Sequence, residues 1–452
     1  MHYSRIAQAL QEISQTPRSC KADLTAGLLS EIGPEIRMLC PAVRLLLGEL
    51  WPPWEEREMG IGPVAIMTAL AEVSDQDIPS LREKFNDMGL LAEAALGQKG
   101  QHSLFREPLE ALSVYERLRR ISEMSGKESE QRKNALLRGL FLDATPLEGK
   151  YIARTALRNM QAGIGHKTMI VALSRSLQCD QEKIQRAYGF MPDLGSTAVM
   201  AASQKLKEVT FRAKIPISFM LFRQSDPVVP GCFLPKYPGL RVQVHKTKRK
   251  VHIFTSQLRN ITTALSGISR QLEEIESDFV ADADLIGFHD CGIKRKVICS
   301  QAEMLRYINR RRLSRKSNIR PSLLAYDLIA LQGEDICSMP YQDRRERLIS
   351  ILGEPQAIPF KGISSAQEYI LMDLGAANEL LSKAAGARAL LERDPLAPYR
   401  PGTVAERDFI IRGAHKNAGK YIIIEPVIEG FKLNASSKDA DDQEGLEEIC
   451  NG

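Results

Sequence analysis

The residue types that most often carry out chemistry in proteins are present here, but their spacing excludes several kinds of site. The eight cysteines contain no C-x-x-C pair, which argues against a zinc ribbon and against a disulfide framework. The seven histidines contain no H-x-x-x-H pair, and SGKES at residues 125–129 lacks the G-x-x-x-x-G-K-[ST] spacing of a P-loop. We therefore expect most cysteines to be small buried hydrophobic residues and the histidines to have structural or solvent roles.

Lys236 has the most informative surroundings of any lysine in the chain. It lies in FLPKYPGLRVQVH, just before two short segments that alternate apolar and polar residues. Taken alone, such a lysine is most often a surface residue at the start of a strand. A chemical role for Lys236 must therefore rest on the segments around it.

Charge is distributed unevenly along the 452 residues, although the net charge is only +5. Six basic and no acidic residues lie between Arg306 and Lys316, and six acidic residues lie between Asp439 and Glu448. Such a basic run is usually a solvated helix face, but its lack of compensating acids also suits contact with phosphates. The acidic tail is too polar to order itself and could bind a protein partner.

The elements that must position these residues change character near residue 213. Up to that point helical periodicity dominates, as in ALSVYERLRRISEM and KTMIVALSRSL, which predicts an all-α half. This half contains D-x-G-x-x-A twice, at Asp87 and at Asp193, about a hundred residues apart. Two similar helical halves and a chance match both remain open for so short a pattern.

Beyond Pro216 the sequence predicts a mixed α+β domain. The segments LRVQVH, KVHIFTS, DFVADADLIGF and SLLAYDLIAL are rich in β-branched and aromatic residues and are bounded by turns. The first two predict a hairpin around KTKRK with an exposed basic tip, because a turn cannot easily bury five consecutive polar residues. From about Gly413, KYIIIEPVIEGFKLN predicts one or two further strands.

No apolar run approaches the roughly 20 residues needed to cross a bilayer, and the first ten residues do not read as a signal peptide. We therefore expect no membrane association and a cytoplasmic location, beside the nucleoid in a prokaryote. The length predicts two or three domains, and we expect a monomer.

The order of segments resembles ATP-dependent DNA ligases of the archaeal and eukaryotic type, over almost the whole chain up to about residue 413. In the helical half the resemblance rests on LLLGELWPPWEEREMGIG, SGKESEQRK, LEGKYIARTALRNMQAGIG and RAYGFMPDLGSTA. In the second half, the nucleotidyltransferase motifs occur in order as IPISFML, KYPGLRVQVH, IFTSQLRNIT, DADLIGF, LLAYDLIALQGEDI, RRERL and APYRPG.

The resemblance implies a multidomain protein with three parts. Residues 1–213 would form an all-α, DNA ligase-like DNA-binding domain. Residues 214–413 would form an α+β nucleotidyltransferase domain of the DNA ligase adenylation type. Residues 414–452 would hold a short strand remnant and the acidic tail, without the full OB fold that the family uses to close over DNA and to complete the first chemical step.

By resemblance, four residues belong to an adenylation site that uses ATP and Mg²⁺. Lys236 matches the nucleophile that attacks the α-phosphate, and Arg241 matches the arginine that contacts ribose and phosphate. Tyr326 matches the aromatic residue that stacks on adenine, although an aromatic residue on such a strand is as often a core residue. Asp284 stands where the family has a metal-facing Glu, on a side chain one methylene shorter.

Other motif positions depart from the family. E-x-K-x-D-G-x-R reads LPKYPGLR here, so Leu234 replaces the adenine-recognising Glu and Pro238 replaces an Asp. F-S-R-x-x-E reads FTSQLR, which places Ser256 and Arg259 at the positions of an arginine and a glutamate.

The motif E-G-x-M-x-K reads RALLER, with Arg388 in place of a metal-binding Glu and Arg393 in place of the lysine. The final lysine-rich motif is replaced by RDFIIRGAHK. Arginine cannot ligate Mg²⁺, but Arg388 and Arg393 could contact nucleotide phosphates directly.

The helical half is also expected to contact DNA by resemblance. Ser129 and Lys133 would meet a DNA phosphate together with the backbone amides of the SGKES turn. The basic run contributes Arg310, Arg311 and Arg312 as phosphate contacts.

Removing one preorganised transition-state contact costs roughly 2.7 to 4 kcal/mol, and four or more are replaced here. The sequence therefore predicts a DNA ligase-like protein of replication, repair or recombination that binds duplex or nicked DNA and has an impaired adenylation site, a pseudoenzyme. The first alternative is a slow ATP-dependent ligase or adenylyltransferase that forms lysyl-AMP at Lys236, with Asp284 holding the metal. The second is a scaffold that binds partner proteins without nucleic acid.

Overall fold

The structure of the protein is a computed structural model that describes residues 1–411 and 423–424. Within that span it leaves out residues 34, 56, 99–106, 127, 225–229, 291–295, 310–317, 357–361, 373–375, 377–378 and 381–386. The chain divides into two compact units, Met1–Thr210 and Phe211–Gly452. None of the helices in the described part of the chain is long and apolar enough to cross a membrane.

The first unit is helical, as the periodicity predicted. Its first helix buries Tyr3, Ile6, Leu10 and Ile13, the three- and four-residue spacing that places side chains on one face. Its α-helices, within the described residues, are α1 Tyr3–Gln15, α2 Lys21–Ile32, α3 Ile36–Leu47, α4 Pro63–Ala71, α5 Ile78–Lys84, α6 Met88–Gly97, α7 Ala111–Glu123, α8 Ser129–Asp143, α9 Pro146–Ala156, α10 His166–Ser176, α11 Gln181–Phe190 and α12 Leu194–Ala202.

The two D-x-G-x-x-A motifs occupy equivalent structural positions. Asp87 and Asp193 precede α6 and α12, and each accepts a hydrogen bond from the backbone N–H three residues further on, at 2.9 and 3.2 Å. Each carboxylate also pairs with a buried arginine of another helix. Arg154 of α9 donates to Asp87 at 2.9 and 3.1 Å, and Arg44 of α3 donates to Asp193 at 2.7 and 3.2 Å.

The two Asp–Arg pairs also have similar surroundings. Each arginine donates its third nitrogen to the carbonyl six residues further on, which belongs to Leu50 for Arg44 and to Met160 for Arg154, both at 3.4 Å. The glycines of the two motifs are also equivalent, because each packs against the arginine of its own Asp–Arg pair. A β-carbon at Gly89 would lie 2.7 Å from Arg154 Nε, and a β-carbon at the glycine of the second motif would lie 3.0 Å from the Arg44 side chain. These shared contacts favour two related helical halves over a chance match.

The second unit is α+β. Its strands are β1 Leu221–Gln224, β2 Gly231–Lys236, β3 Leu240–Thr247, β4 Lys250–Thr255, β5 Phe279–Asp290, β6 Lys296–Ile298, β7 Ile319–Leu331, β8 Glu334–Asp335, β9 Ile363–Ser365, β10 Tyr369–Leu371, β11 Ala389–Arg393, β12 Val404–Ile411 and β13 Ile423–Ile424. Among the described residues its helices include α13 Ser266–Glu273, α14 Gln301–Asn309 and α15 Tyr341–Leu352. The four segments predicted as strands correspond to β3, β4, β5 and β7.

The strands form two sheets. One has the order β1-β12-β11-β2-β10. In the other, the long strand β5 pairs with β3 and β6 on one edge and with β7 on the other, while β4, β13, β8 and β9 extend these neighbours. The only part of KYIIIEPVIEGFKLN among the described residues is β13, and the acidic tail lies outside them.

The two faces of β5 have different environments because strand side chains alternate. Ala281, Ala283 and Leu285 face an apolar core with residues of β3, β4, α13 and α14. Asp282 and Asp284 therefore face the opposite side, toward the sheet that carries β2 and β11. This alternation places two carboxylates side by side on one face.

A β-bulge in β7 changes which of its residues share that face. Asp282 pairs with Asp327 but Ala283 pairs with Ala325, so Tyr326 is the extra residue on the bulged strand. The bulge shifts the alternation by one, and Leu328 joins the same apolar core as Ala325. Tyr326 and Asp327 are adjacent in sequence, but both thus lie on the face that carries Asp282 and Asp284.

The predicted β3–β4 hairpin is confirmed, with Thr247 opposite Lys250 and a two-residue turn between them. Lys246, the first residue of KTKRK, is not part of the exposed basic tip. Its side chain is buried, and Nζ donates to the Glu276 carbonyl at 3.0 Å and to Asp278 at 3.3 Å. A compensating carboxylate and carbonyl make this burial possible, so the exposed tip consists of residues 248–250.

Candidate active site

Lys236 lies at the end of β2 with its ammonium in a pocket of polar groups. Nζ donates to both carboxylate oxygens of Asp284, at 2.9 and 2.7 Å, and lies 5.3 Å from the ring centroid of Tyr326. The Tyr326 hydroxyl donates to Asp284 Oδ2 at 2.9 Å. The Asp284 side chain is 1 % exposed and that of Lys236 is 26 % exposed. Three of the predicted site residues, from β2, β5 and β7, are therefore in direct contact.

Tyr326 is held as a neutral hydrogen-bond donor. Burial raises the pKa of its hydroxyl well above the ordinary range, and the neighbouring Asp284 carboxylate raises that pKa further. Its ring packs in an apolar cluster with Leu234, Tyr237 and Leu391. Tyr326 is thus both a core residue and a neighbour of Lys236.

Arg241 of β3 makes a second ion pair beside the first. Its Nε and a terminal nitrogen donate to the two oxygens of Asp282, at 3.0 and 2.5 Å. The Tyr399 hydroxyl donates to the same carboxylate at 3.1 Å. The guanidinium carbon also lies 4.8 and 4.7 Å from the ring centroids of Phe219 and Phe222. Arg241 is therefore fixed by one carboxylate and two aromatic rings.

A third set of charges lies deeper, around Asp327. Arg344 of α15 donates to its two oxygens at 2.8 and 2.9 Å, and Arg393 of β11 donates to Oδ2. The Arg393 guanidinium also lies 4.1 Å from the ring centroid of Tyr341. All three charged side chains are at most 1 % exposed. The structure thus places Arg393 in a buried Asp–Arg–Arg triad that joins the two sheets, and does not bring it to Lys236.

The substituted motif positions lie in different environments. Leu234 is fully buried in the apolar cluster around Tyr326, and Arg388 is exposed beside β2, where its backbone N–H donates to the Lys236 carbonyl at 2.8 Å. Ser256 is exposed. Arg259 is exposed and donates to Asn309 at 2.7 Å, at the end of α14. The Arg259 side chain is therefore engaged with α14.

The carboxylates of this face supply the oxygen ligands that Mg²⁺ prefers, but their oxygens are already in use. Both oxygens of Asp284 accept from Lys236, and one also accepts from Tyr326. Both oxygens of Asp282 accept from Arg241, and one also accepts from Tyr399. A Mg²⁺ ion would have to displace a cationic donor, so these residues fit the ion poorly in this arrangement.

The predicted DNA contacts lie in both units and are only partly described. Lys133 of α8 donates to the Met59 carbonyl at 3.0 Å. The Ser129 backbone N–H, at the start of α8, donates to the Gly126 carbonyl at 3.2 Å. Arg310, Arg311 and Arg312 lie outside the described residues.

Sequence reasoning missed Asp282, Asp327, Arg344 and Tyr399 as members of the charged face. The signal for Asp282 was available, because DADLIGF places it two residues before Asp284 and hence on the same side of a strand. Asp327 gave no such signal, since simple alternation places it on the side opposite Tyr326. Only the bulge brings it to this face.

The comparisons with known proteins agree with this architecture. A family model described as DNA ligase N terminus matches residues 2–174, and one described as ATP dependent DNA ligase domain matches residues 231–403. Similar proteins include the DNA ligases of Thermococcus onnurineus, 28 % identical over 93 % of this chain and 78 % of the relative, and of Archaeoglobus fulgidus, 29 % identical over 88 % and 73 %. The DNA ligase of Methanothermobacter thermautotrophicus is 27 % identical over 100 % of this chain and 83 % of its own length.

A solved structure of mycobacterial DNA ligase D complexed with ATP and MES gives a weaker match. It is 18 % identical in sequence, the match covers 48 % of this chain and 70 % of that chain, and the TM-score is 0.35. On the family models and the sequence relatives, the chain belongs to the family of ATP-dependent DNA ligases, with a helical N-terminal domain followed by a nucleotidyltransferase-like domain.

Proposed function

We propose that this ligase-family protein binds duplex or nicked DNA and that its adenylation site forms lysyl-AMP at Lys236 slowly or not at all. The observation that carries the proposal is the engagement of all four carboxylate oxygens of Asp282 and Asp284 by protein donors. Attack on the α-phosphate of ATP requires a lysine without its extra proton and a cation that neutralises the phosphate. The arrangement works against both requirements.

Lys236 is held in an ion pair with Asp284, and attack on the α-phosphate requires it to leave that pair. The Asp284 carboxylate is almost fully buried and accepts hydrogen bonds from both Lys236 and Tyr326. If Lys236 leaves this ion pair, the buried carboxylate keeps only the Tyr326 hydroxyl of these two donors, which is unfavourable. ATP could bind on this face through Arg241 and Tyr326.

The sequence departures support the same conclusion. Leu234 offers no hydrogen bond to adenine, and Pro238 supplies neither a carboxylate nor a backbone donor. Arg388 adds a positive charge beside β2 where the family has a glutamate, and like charge repels a metal ion. Binding of nucleotide can therefore persist where its chemistry is slow.

DNA binding rests on the family membership and on the distribution of basic residues. The exposed hairpin tip at residues 248–250 and the basic run ending at Lys316 offer positive charge in the second unit. In the first unit, Ser129 and Lys133 remain the proposed phosphate contacts, which requires Lys133 to exchange its Met59 carbonyl for a phosphate. A role in DNA replication, repair or recombination follows from this binding.

The test measures covalent AMP on the protein. Purified protein is incubated with ATP and Mg²⁺, its intact mass is recorded, and sealing of a nicked duplex is followed in parallel. Lys236→Ala is the specific variant, and Lys250→Ala, at the exposed hairpin tip, is the matched control. We expect little or no gain of the mass of AMP and no sealing in any of the three proteins.

Substantial labelling that disappears in Lys236→Ala and persists in Lys250→Ala would overturn the impaired site and establish the active enzyme. A gain-of-function variant sharpens the test. Arg388→Glu replaces the positive charge beside β2 with the family's carboxylate, and we expect it to raise AMP labelling above wild type. Absence of DNA binding at low salt would instead favour the protein-binding scaffold.

A further inference from the structure

A second cluster of reactive side chains includes one residue of β5, His289, which lies five residues beyond Asp284. The ligand atoms of His289, Cys299 and Glu303 all lie within 4.8 Å of one another. His289 Nε2 lies 2.9 Å from Glu303 Oε1. Cys299 is fully buried, and within the described part of the chain it forms no disulfide. A histidine, a cysteine and a carboxylate thus converge on one point, independent of the Lys236 site and of the function proposed for it.

The separation of these atoms suits a single small ion. Zinc ligands at about 2.0 to 2.3 Å from the ion stand roughly 3.3 to 3.8 Å apart in a tetrahedron. Moving from the observed arrangement to that tetrahedron requires the His289–Glu303 contact at 2.9 Å to open and any separation as large as 4.8 Å to close by about 1 Å. The donor set of imidazole nitrogen, thiolate sulfur and carboxylate oxygen is also the one that zinc accepts.

We propose that His289, Cys299 and Glu303 bind one divalent transition-metal ion, with zinc as the ion whose ligand preferences fit best. The three protein ligands leave a fourth position for a water molecule. When zinc binds, the Cys299 thiol loses its proton to solvent and a Zn–S bond forms, with no change in oxidation state.

A simpler explanation for Glu303 covers only part of the cluster. Glu303 stands three residues after Ser300, and the two form a capping box at the start of α14. The Ser300 backbone N–H and hydroxyl donate to Glu303 Oε2 at 2.7 and 2.8 Å, and the Glu303 N–H donates back at 3.3 Å. This cap uses Oε2. Oε1 points to His289 instead, so helix capping leaves one carboxylate oxygen available as a ligand.

The capping bonds also act as the outer support that metal ligands need. Hydrogen bonds to the far oxygen fix the orientation of a ligating carboxylate. Cys299 is fixed as well, since its backbone N–H donates to the Gly287 carbonyl at 2.8 Å. The site is thus held by β5 on one side and by the start of α14 on the other.

The position of the cluster suggests what the ion would do. A metal bound there cross-links β5 to α14, which contains Arg306, the first residue of the basic run, and ends at Asn309. Arg259, from the segment after β4, donates to Asn309 at the far end of the same helix. The ion would therefore fix the helix in which the basic run begins.

The test uses the full chain. Protein is treated with a chelator, desalted, and titrated with Zn²⁺ alone, and bound zinc is measured by elemental mass spectrometry. Three variants remove one ligand each, His289→Gln, Cys299→Ser and Glu303→Gln, and Cys337→Ser removes a buried cysteine outside the cluster. We expect one zinc per chain in wild type and Cys337→Ser, and at least a tenfold loss of affinity in each ligand variant.

Substitution with Co²⁺ provides a readout that does not depend on the folding of any variant. Wild-type protein should show the thiolate-to-cobalt charge-transfer absorption expected of a Cys ligand, with the visible bands of a four-coordinate ion. Zinc should also raise the thermal midpoint of wild type and not of Cys299→Ser. No zinc uptake by wild type, equal uptake by the three ligand variants, or a cobalt spectrum without a thiolate band would each overturn the proposal.

Discussion

Asp327→Asn tests the buried triad that joins the two sheets. The substitution keeps the shape of the side chain but removes the negative charge from a position that is fully buried. Two arginines, Arg344 and Arg393, then lose their carboxylate partner without gaining access to water. Breaking a buried ion pair by removing one partner costs roughly 3 to 5 kcal/mol, because the remaining charge stays buried.

The magnitude follows from the contacts. Asp327 accepts three hydrogen bonds from cationic donors, two from Arg344 and one from Arg393. A cost of 3 to 5 kcal/mol corresponds to a fall in the thermal midpoint of roughly 6 to 20 °C, at about 2 to 4 °C per kcal/mol for a unit of this size. Arg344 keeps its bonds to two backbone carbonyls, which places the expected cost in the lower part of that range.

The assay is urea unfolding at pH 7 of wild type, Asp327→Asn and Glu346→Gln, an exposed position on α15. We expect Glu346→Gln to stay within about 0.5 kcal/mol of wild type. Replacing the triad by Asp327→Leu, Arg344→Met and Arg393→Met together should cost less than Asp327→Asn alone, since no buried charge is left. A loss below about 1 kcal/mol in Asp327→Asn would refute the reasoning.

The same carboxylate predicts an acid dependence. Burial raises the pKa of Asp327, but the two guanidinium groups outweigh it, so the pKa in the folded state is lowered. Its stabilising contribution is therefore complete above about pH 4, the ordinary range for Asp, and is lost as pH falls through the lower folded-state pKa. Asp327→Asn should remove this component from the pH dependence of unfolding.

Three further predictions concern the first unit and DNA. Asp193→Asn should destabilise the first unit more than Asp87→Asn, as measured by urea unfolding, because Asp193 is 3 % exposed and Asp87 is 14 % exposed; equal costs would contradict the difference in burial. Burial lowers the pKa of His166, but the neighbouring Glu49 outweighs this effect, so the pKa is raised in the folded state. The stability advantage of wild type over His166→Gln in urea unfolding should therefore be present below about pH 6.5 and fall as pH rises through the folded-state pKa. It should stay under about 1 kcal/mol, because the pair is partly exposed. A fragment of residues 1–213 should fold as a helical domain and bind duplex DNA, with affinity falling by roughly 0.9 log units per log unit of salt for each phosphate contact; an unfolded fragment or a flat salt dependence counts against it.

The fold could be predicted from the sequence where one signal dominates. Helical spacing in the first unit and alternation in β3, β4, β5 and β7 are local patterns, and each produced the predicted element. Lys236, Asp284 and Tyr326 were brought together by resemblance, and they are in contact. Periodicity alone does not predict that contact, because the three residues lie on three strands far apart in the sequence.

What the sequence did not predict depends on non-local pairing. Arg393 was assigned to the nucleotide by its motif position, but its placement against Asp327 requires knowing that β11 faces a bulged β7. The cluster of His289, Cys299 and Glu303 was missed for a similar reason. Its members have no metal-motif spacing, since a strand, a turn and a helix start bring them together.

The bulge in β7 also has a consequence for how this protein can change during evolution. Because Tyr326 is the extra residue on the bulged strand, deleting it would leave Asp327 opposite Asp282 and Ala325 opposite Ala283. Such a deletion would remove the hydroxyl that donates to Asp284 and the ring beside Lys236, while Asp327 would keep its place beside its two arginines. The surroundings of Lys236 can therefore change in evolution, even by loss of a residue, without disturbing the buried triad that joins the two sheets.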